Sequence, residues 1–157
     1  ALPIYLQRLG MSAETVVADA ELWRPTELAS HILLDAPCSA TGTIRRHPDI
    51  AHLKARNDVV RLAALQDRLL DAAVAMLRPG GVMVFCTCSL EPEEGAARIA
   101  ALLVRDQRMR RIPITVGDVA GVDELVTSAG DLRTLPCHLA EYGGLDGFYA
   151  ARLEKRG

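Results

Sequence analysis

Two short apolar runs bracket the middle of the chain. One is Ile32-Leu33-Leu34, closing on Asp35; the other is Val82-Met83-Val84-Phe85-Cys86, closing on Thr87 and Cys88. Continuous apolarity over so few residues fits strands covered on both faces, as in a parallel sheet. Between the runs, Leu62, Leu65, Leu69, Ala73 and Met76 recur at spacings of three and four. That period predicts one apolar face of a long helix, opened at Asn57 or Asp58 by either side chain as a cap. Arg78-Pro79-Gly80-Gly81 is expected to stop it. A strand, a helix and a strand in that order read as a parallel crossover, which restricts the chain to the α/β class.

The flanking segments extend the pattern. Residues 4–10 read as the end of a helix stopped at Gly10. Residues 15–20 read as a short β-branched strand ending at Asp19. Pro92, Glu93 and Glu94 suit the first turn of a second helix, whose apolar face is Ile99, Leu102 and Leu103. Residues 111–116 and 147–153 read as two later strands. The resulting order predicts a doubly wound α/β sheet with helices on both faces. In such sheets ligands bind beyond the carboxyl ends of the strands. Asp19, Asp35 and Cys88 all fall at such ends, so one sheet edge is expected to gather three chemically able groups.

Composition excludes some functions. A chain of 157 residues suits one domain, and its net charge of −2 argues against coating nucleic acid through a global field. A local basic surface stays open: Arg45, Arg46, Lys54, Arg56 and Arg61 cluster after Cys38, either as a solvated face or as phosphate contacts. No apolar run approaches the roughly 20 residues that span a bilayer, so no membrane partner is expected. The first ten residues lack a basic segment followed by an apolar core, and a cytoplasmic protein is expected.

That expectation turns attention to Cys38, Cys86, Cys88 and Cys137, because structural disulfides are rare in the cytosol. Cys86 and Cys137 read as packing residues, cysteine being among the most buried types. Zinc held by Cys86, Cys88, Cys137 and His138 would need a spacing unlike the usual knuckle, and no metal is expected. Cys88 precedes the helix opened by Pro92, where a thiolate is favoured. A thiolate attacks electron-poor carbons at neutral pH. Cys38 follows the neighbouring strand beside a turn containing Gly42, and Asp35 can accept a hydrogen bond from a protonated ring nitrogen or an exocyclic amine.

Three stretches carry a resemblance: "DAPCSATGTIRRHPDI" at 35–50, "LAALQDRLLDAAVAMLRPGG" at 62–81 and "TCSLEPEE" at 87–94. Together they resemble the Sun family of RNA cytosine-5 methyltransferases, most closely its bacterial small-subunit ribosomal RNA type. "DLRTLPCHLAEYGGLDGFYAARLEK" at 131–155 resembles the closing strand pair of that family. The resemblance implies a Rossmann-like class I methyltransferase fold, mostly parallel with an antiparallel last strand. It also implies transfer of a methyl group from S-adenosyl-L-methionine to carbon 5 of cytosine in RNA, ribosomal RNA in the first instance.

Within it, Cys88 matches the nucleophile that adds to carbon 6, and Cys38 the residue that assists the later elimination. Asp35 matches the group steadying the ring, and Pro37 stiffens the Cys38 loop. Asp19 matches the acid at the adenine end of the cofactor. Asp19, Asp35 and Pro37 are thus the expected cofactor contacts.

The family sheet has strand order 3-2-1-4-5-7-6, with a Gly-Gly-Lys-Thr cofactor loop and an N-terminal RNA-binding domain ahead of the segments matched here. Residues 1–157 are therefore expected to form a single partial domain without the first two strands. Weak or no cofactor binding, inactivity in isolation, a displaced strand at 15–20, and an exposed strand edge open to oligomerisation are expected. Ala40 stands where the family usually has glycine, which matters if that position needs positive φ. A transfer RNA methyltransferase of the same chemistry, or a remnant that binds RNA or protein without catalysis, are the alternatives.

Overall fold

A computed structural model describes residues 6–53 and 55–157. Strand β1 (Ala29–Asp35) is followed by helix α1 (Arg56–Met76), strand β2 (Leu77–Thr87), helix α2 (Ala96–Arg105) and three more strands. These are β3 (Met109–Arg111), β4 (Leu132–Thr134) and β5 (Phe148–Lys155). They form one five-stranded sheet in the order β1-β2-β5-β3, with β4 also on β5. β1 and β2 are parallel, while β5 runs antiparallel to β2, β3 and β4. Four strands therefore share one direction and the last opposes them, matching the 4-5-7-6 half of the order that the resemblance implies.

The core lies where α1 and α2 cover this sheet. Leu70, Ala73 and Val74 of α1 and Ile99 and Leu102 of α2 pack against Met83, Phe85, Ala151 and Leu153. The Phe85 and Tyr149 rings meet edge to face across β2 and β5, with centroids 6.4 Å apart. Beneath them the Tyr149 hydroxyl donates to Asp131 at 2.7 Å, and Arg111 pairs with that carboxylate from β3 at 2.9 Å. At the far end of the sheet, buried Lys155 donates to the carbonyls of Val74 and Leu77, closing the C-terminus of α1.

Several elements sit where the sequence places them. Gly10, at φ +64°, ends a helical turn over residues 6–8. Its amide donates to Gln7 O and that of Met11 to Leu6 O, the Schellman arrangement. Residues 4 and 5 of that predicted helix tail lie outside the described residues. α1 starts at Arg56 with Ala55 at its cap position, so neither Asn57 nor Asp58 is the cap that the sequence predicts; Asp58 is its third residue and accepts from the Ala55 amide at 3.1 Å. Arg78 to Gly81 do not separate helix from strand but bulge within β2, so that Ala29 pairs with Leu77 and His31 with Val82.

Three expectations are corrected. Residues 15–20 form no strand and are exposed throughout, Val17 at 97%. A strand needs a hydrogen-bonded neighbour, and β1, whose outer edge carries no strand among the described residues, does not take this segment up. The strand expected at 111–116 is instead β3, ending at Arg111, because Pro113 has no N–H to continue a ladder. Cys137 is exposed rather than packed, being carried on a turn after Pro136. No helix among the described residues is long and apolar enough to cross a membrane.

Candidate active site

β1 and β2 end side by side, with Asp35 in register with Cys86. Each strand continues into a loop carrying a cysteine, and the two loops close on one another. Cys38 Sγ lies 3.6 Å from Cys88 Sγ, fifty residues on in sequence, and both side chains are half-buried. Burial pushes the Cys38 thiol up to about 12; the adjoining Cys88 sulfur adds to this, while a backbone hydrogen bond at Ala40 opposes it. Cys38 is thus held as a neutral thiol at neutral pH. Cys86 points to the Asp35 carboxylate, 3.8 Å from its sulfur. Burial first and the Asp35 charge second push Cys86 up to about 11. It is a buried strand residue, as its sequence position predicts.

The loops are joined by backbone as well as by sulfur. The Gly42 amide donates to Cys88 O at 2.9 Å, and Gly42 O accepts from the Gly147 amide at 2.8 Å. A side chain at Gly42 would sit 2.1 Å from Gly147 O and 2.7 Å from Cys88 O, so only glycine lets the three segments approach this closely. Ala40 turns the first loop with φ +60°. The glycine that the resemblance implies at this position would meet no steric cost, whereas this chain carries the strain of an alanine there.

Five polar residues complete the frame. Gln66, fully buried on α1, donates to Pro37 O at 2.9 Å and fixes the start of the Cys38 loop. Arg133 of β4 donates to Ser89 O and Leu90 O at 3.0 and 2.7 Å, gripping the Cys88 loop. Ser39 and Ser89, the residues after the two cysteines, have hydroxyls 3.2 Å apart, and both donate to Glu94. Gln66 sits within an otherwise apolar helix face and Glu94 among helix-opening acids. A buried polar residue inside an apolar period was the one signal available for Gln66.

The remaining sequence candidates are placed less tightly. Asp35 and Pro37 are exposed at the carboxyl end of β1. Asp19 is not at a strand end: one of its carboxylate oxygens accepts from the Glu21 amide at 2.9 Å, forming a local turn. Glu21 in turn pairs with Arg68 of α1 at 2.6 Å. Among the described residues, no hydrogen bond or ion pair joins Asp19 to Asp35, Cys38 or Cys88.

The basic cluster is largely neutralised within the chain. Arg46 pairs with Asp146, and Arg45 donates to Gly143 O at 2.8 Å. Arg56 lies 3.7 Å from Glu93, and Arg61 3.2 Å from Asp58. Lys54 lies outside the described residues. A cleft of about 220 Å³ runs past these loops, lined by Thr41, Ala55, Arg56, Val59, Glu91 and Glu93. No group of three or more His, Cys, Asp or Glu among the described residues is arranged to hold a metal ion.

Comparison with known proteins gives this geometry a context. Residues 2–154 match the family model described as 16S rRNA methyltransferase RsmB/F. Ribosomal RNA small subunit methyltransferase B of Sodalis glossinidius is 42% identical over 155 residues, covering 96% of this chain and 32% of that protein. Its counterpart in Pseudomonas syringae pv. tomato is 44% identical over 153 residues, 96% of this chain and 33% of its own length. NSun6 from Pyrococcus horikoshii, solved with SFG, superposes with a TM-score of 0.75 at 27% identity over 99% of this chain and 38% of that one. The chain thus spans about a third of the length of the curated relatives it matches.

Proposed function

The chain belongs to the 16S rRNA methyltransferase RsmB/F family, and on that premise we propose that it carries the thiol pair of an enzyme that methylates carbon 5 of cytosine in ribosomal RNA. The observation that carries this reading is the 3.6 Å approach of Cys38 and Cys88 at the carboxyl ends of two parallel strands. Cytosine is a poor carbon nucleophile, and transient covalent addition divides one hard step into easier ones.

Cys88, as thiolate, forms a bond to carbon 6, and the ring electrons displaced by that bond make carbon 5 nucleophilic. Asp35, exposed at the carboxyl end of β1, steadies the ring at nitrogen 3 and the exocyclic amine. S-adenosyl-L-methionine, when bound, supplies the methyl group to carbon 5. The proton on carbon 5 then passes to solvent water as the bond from carbon 6 to sulfur breaks, its electrons restore the ring double bond, and Cys88 departs as thiolate. Cys38 assists this elimination. The base must be out of its stack to reach the thiols, which favours an unpaired RNA segment.

Asp35 and Pro37 are exposed at the carboxyl end of β1, the kind of edge at which such sheets bind ligands. Asp19, in its local turn, does not join them. The 157-residue chain by itself therefore binds S-adenosyl-L-methionine weakly and does not methylate; micromolar affinity in a calorimetric titration of this chain would contradict that.

The test of the thiols uses the chain expressed in its full reading frame, with S-adenosyl-L-methionine and RNA carrying 5-fluorocytosine. Fluorine at carbon 5 cannot leave as a proton, so the adduct accumulates. Cys88→Ser is expected to abolish the adduct and Cys38→Ser to retain it. An adduct that survives Cys88→Ser but not Cys38→Ser reverses the two roles.

A further inference from the structure

Glu94 has no solvent exposure, although it lies in a turn between a loop and a helix, where an acid ordinarily faces water. Its side chain reaches back between the two cysteine loops. Oε1 accepts from the Ser39 amide at 2.9 Å. Oε2 accepts from the Ser39 hydroxyl and from the Ser89 hydroxyl, the latter at 2.6 Å. The same Oε2 is 3.1 Å from the Ser39 amide. Ser89 is further fixed by the Glu91 amide, which donates to its hydroxyl at 3.0 Å. A buried carboxyl is costly unless its acceptor sites are filled, and here they are filled from both loops at once.

The geometry points to Glu94 as the positioning residue that sets the distance between the two thiols. It holds the residue directly after Cys38 with one set of bonds and the residue directly after Cys88 with the other. The serine hydroxyls also lie 3.2 Å apart, and the loops are tied further on by Thr41 Oγ1, 3.4 Å from the Ser89 hydroxyl and accepting from the Leu90 amide at 2.9 Å, but Glu94 alone bonds to both residues that directly follow the cysteines. A covalent addition and an elimination that use two thiols in succession need both within reach of one ring, and small displacements there are costly in rate. Pro92, Glu93 and Glu94 do not form the first turn of α2 as the sequence predicts but a separate short 3-10 turn ahead of Gly95, and its last member is turned inward to a different task. This inference rests on the reading that the two cysteines act as a pair.

The test reads the spacing directly and needs neither RNA nor cofactor. Cys86 and Cys137 are replaced by alanine, and the chain is equilibrated in glutathione buffers. Oxidation of Cys38 and Cys88 to one disulfide reduces one oxidised glutathione to two thiols, so the equilibrium constant measures how closely the sulfurs are held. Glu94→Gln is expected to lower that constant about tenfold, because its amide keeps one acceptor oxygen and sets an NH2 group against either the Ser39 amide or the two serine hydroxyls that donate to the carboxylate. Lys155→Met serves as a control: it removes a buried bond network at the opposite end of the sheet and should lower the melting temperature while leaving the constant within about twofold.

A Glu94→Gln constant within about twofold of the parent overturns the proposal. If Glu94→Gln shows no cooperative melt, Ser39→Ala with Ser89→Ala is measured against the same two thresholds. Failure of the 5-fluorocytosine trap would leave this constant unaffected, so loss of the functional reading and loss of the positioning role are told apart.

Discussion

The loops after β1 and β2 and the segment at 11–24 are alike in having little regular structure, and they differ in almost everything else. The cysteine loops bury Ser39, Ser89 and Glu94 completely and exchange hydrogen bonds across fifty residues of sequence. Residues 11–20 are exposed throughout, and their polar contacts are local apart from the Glu21–Arg68 pair at the end of the segment. Regular secondary structure is therefore a poor guide to which parts of this molecule are fixed. A loop with buried polar groups bonded to distant partners is fixed without a ladder, whereas a β-branched stretch with no ladder beside it keeps only local turn contacts.

The largest break in that contrast is expected from Gly42→Ala. The added methyl meets backbone on two sides, at Gly147 and Cys88, neither of which can rotate away. The cost should be about 3 kcal/mol in a urea melt. The two thiols should also part, so trapping with 5-fluorocytosine should fall with stability. A cost below about 1 kcal/mol would mean that the loops yield easily and that their hydrogen bonds do not fix them.

Ala40→Gly sharpens the same comparison from the other direction. Alanine at φ +60° costs about 1–2 kcal/mol relative to glycine in that conformation, offset in part by the greater freedom of glycine in the unfolded chain. A net gain of roughly 0.5–1 kcal/mol is expected, with the thiol spacing unchanged because Glu94 and Gly42 are untouched. A loss would show that the Cys38 loop does not turn through positive φ at this residue.

How far the sequence announces these features depends on whether each is local. The apolar runs at 32–34 and 82–86, the helical period and the Gly10 stop depend on near neighbours and are legible as written. The pairing of Cys38 with Cys88 is legible because both follow parallel neighbouring strands, and the topology brings their ends together. Glu94 is not, since an acid after Pro92 already has a sufficient local reason in the helix terminus, and that reason hides the distant one. The inward turn of Gln66 is partly hidden in the same way, by the leucines around it. Residues 15–20 fail for the opposite cause. Their β-branched composition is genuine, but a strand is a property of two segments, and its second segment is not among the described residues. The resemblance anticipates this failure where propensity alone does not, because it carries the strand order.

The smallest effect is expected at Val17, and it probes the other half of the comparison. At 97% exposure, Val17→Asp removes no packed area and should change the stability of this chain by less than about 0.5 kcal/mol. Backbone amides over 15–20 should exchange with solvent at near unprotected rates, while those of β2 and β5, which pair from Val82 to Thr87, exchange slowly. The same substitution made in the full reading frame carries a different expectation. If the relatives' additional length supplies a neighbouring strand, Val17 becomes a sheet residue and an aspartate there costs several times more. A large effect in both settings would mean that residues 15–20 already pair within this chain. A small effect in both would mean that the segment never enters the sheet, and Asp19 would then lose its claim on the cofactor.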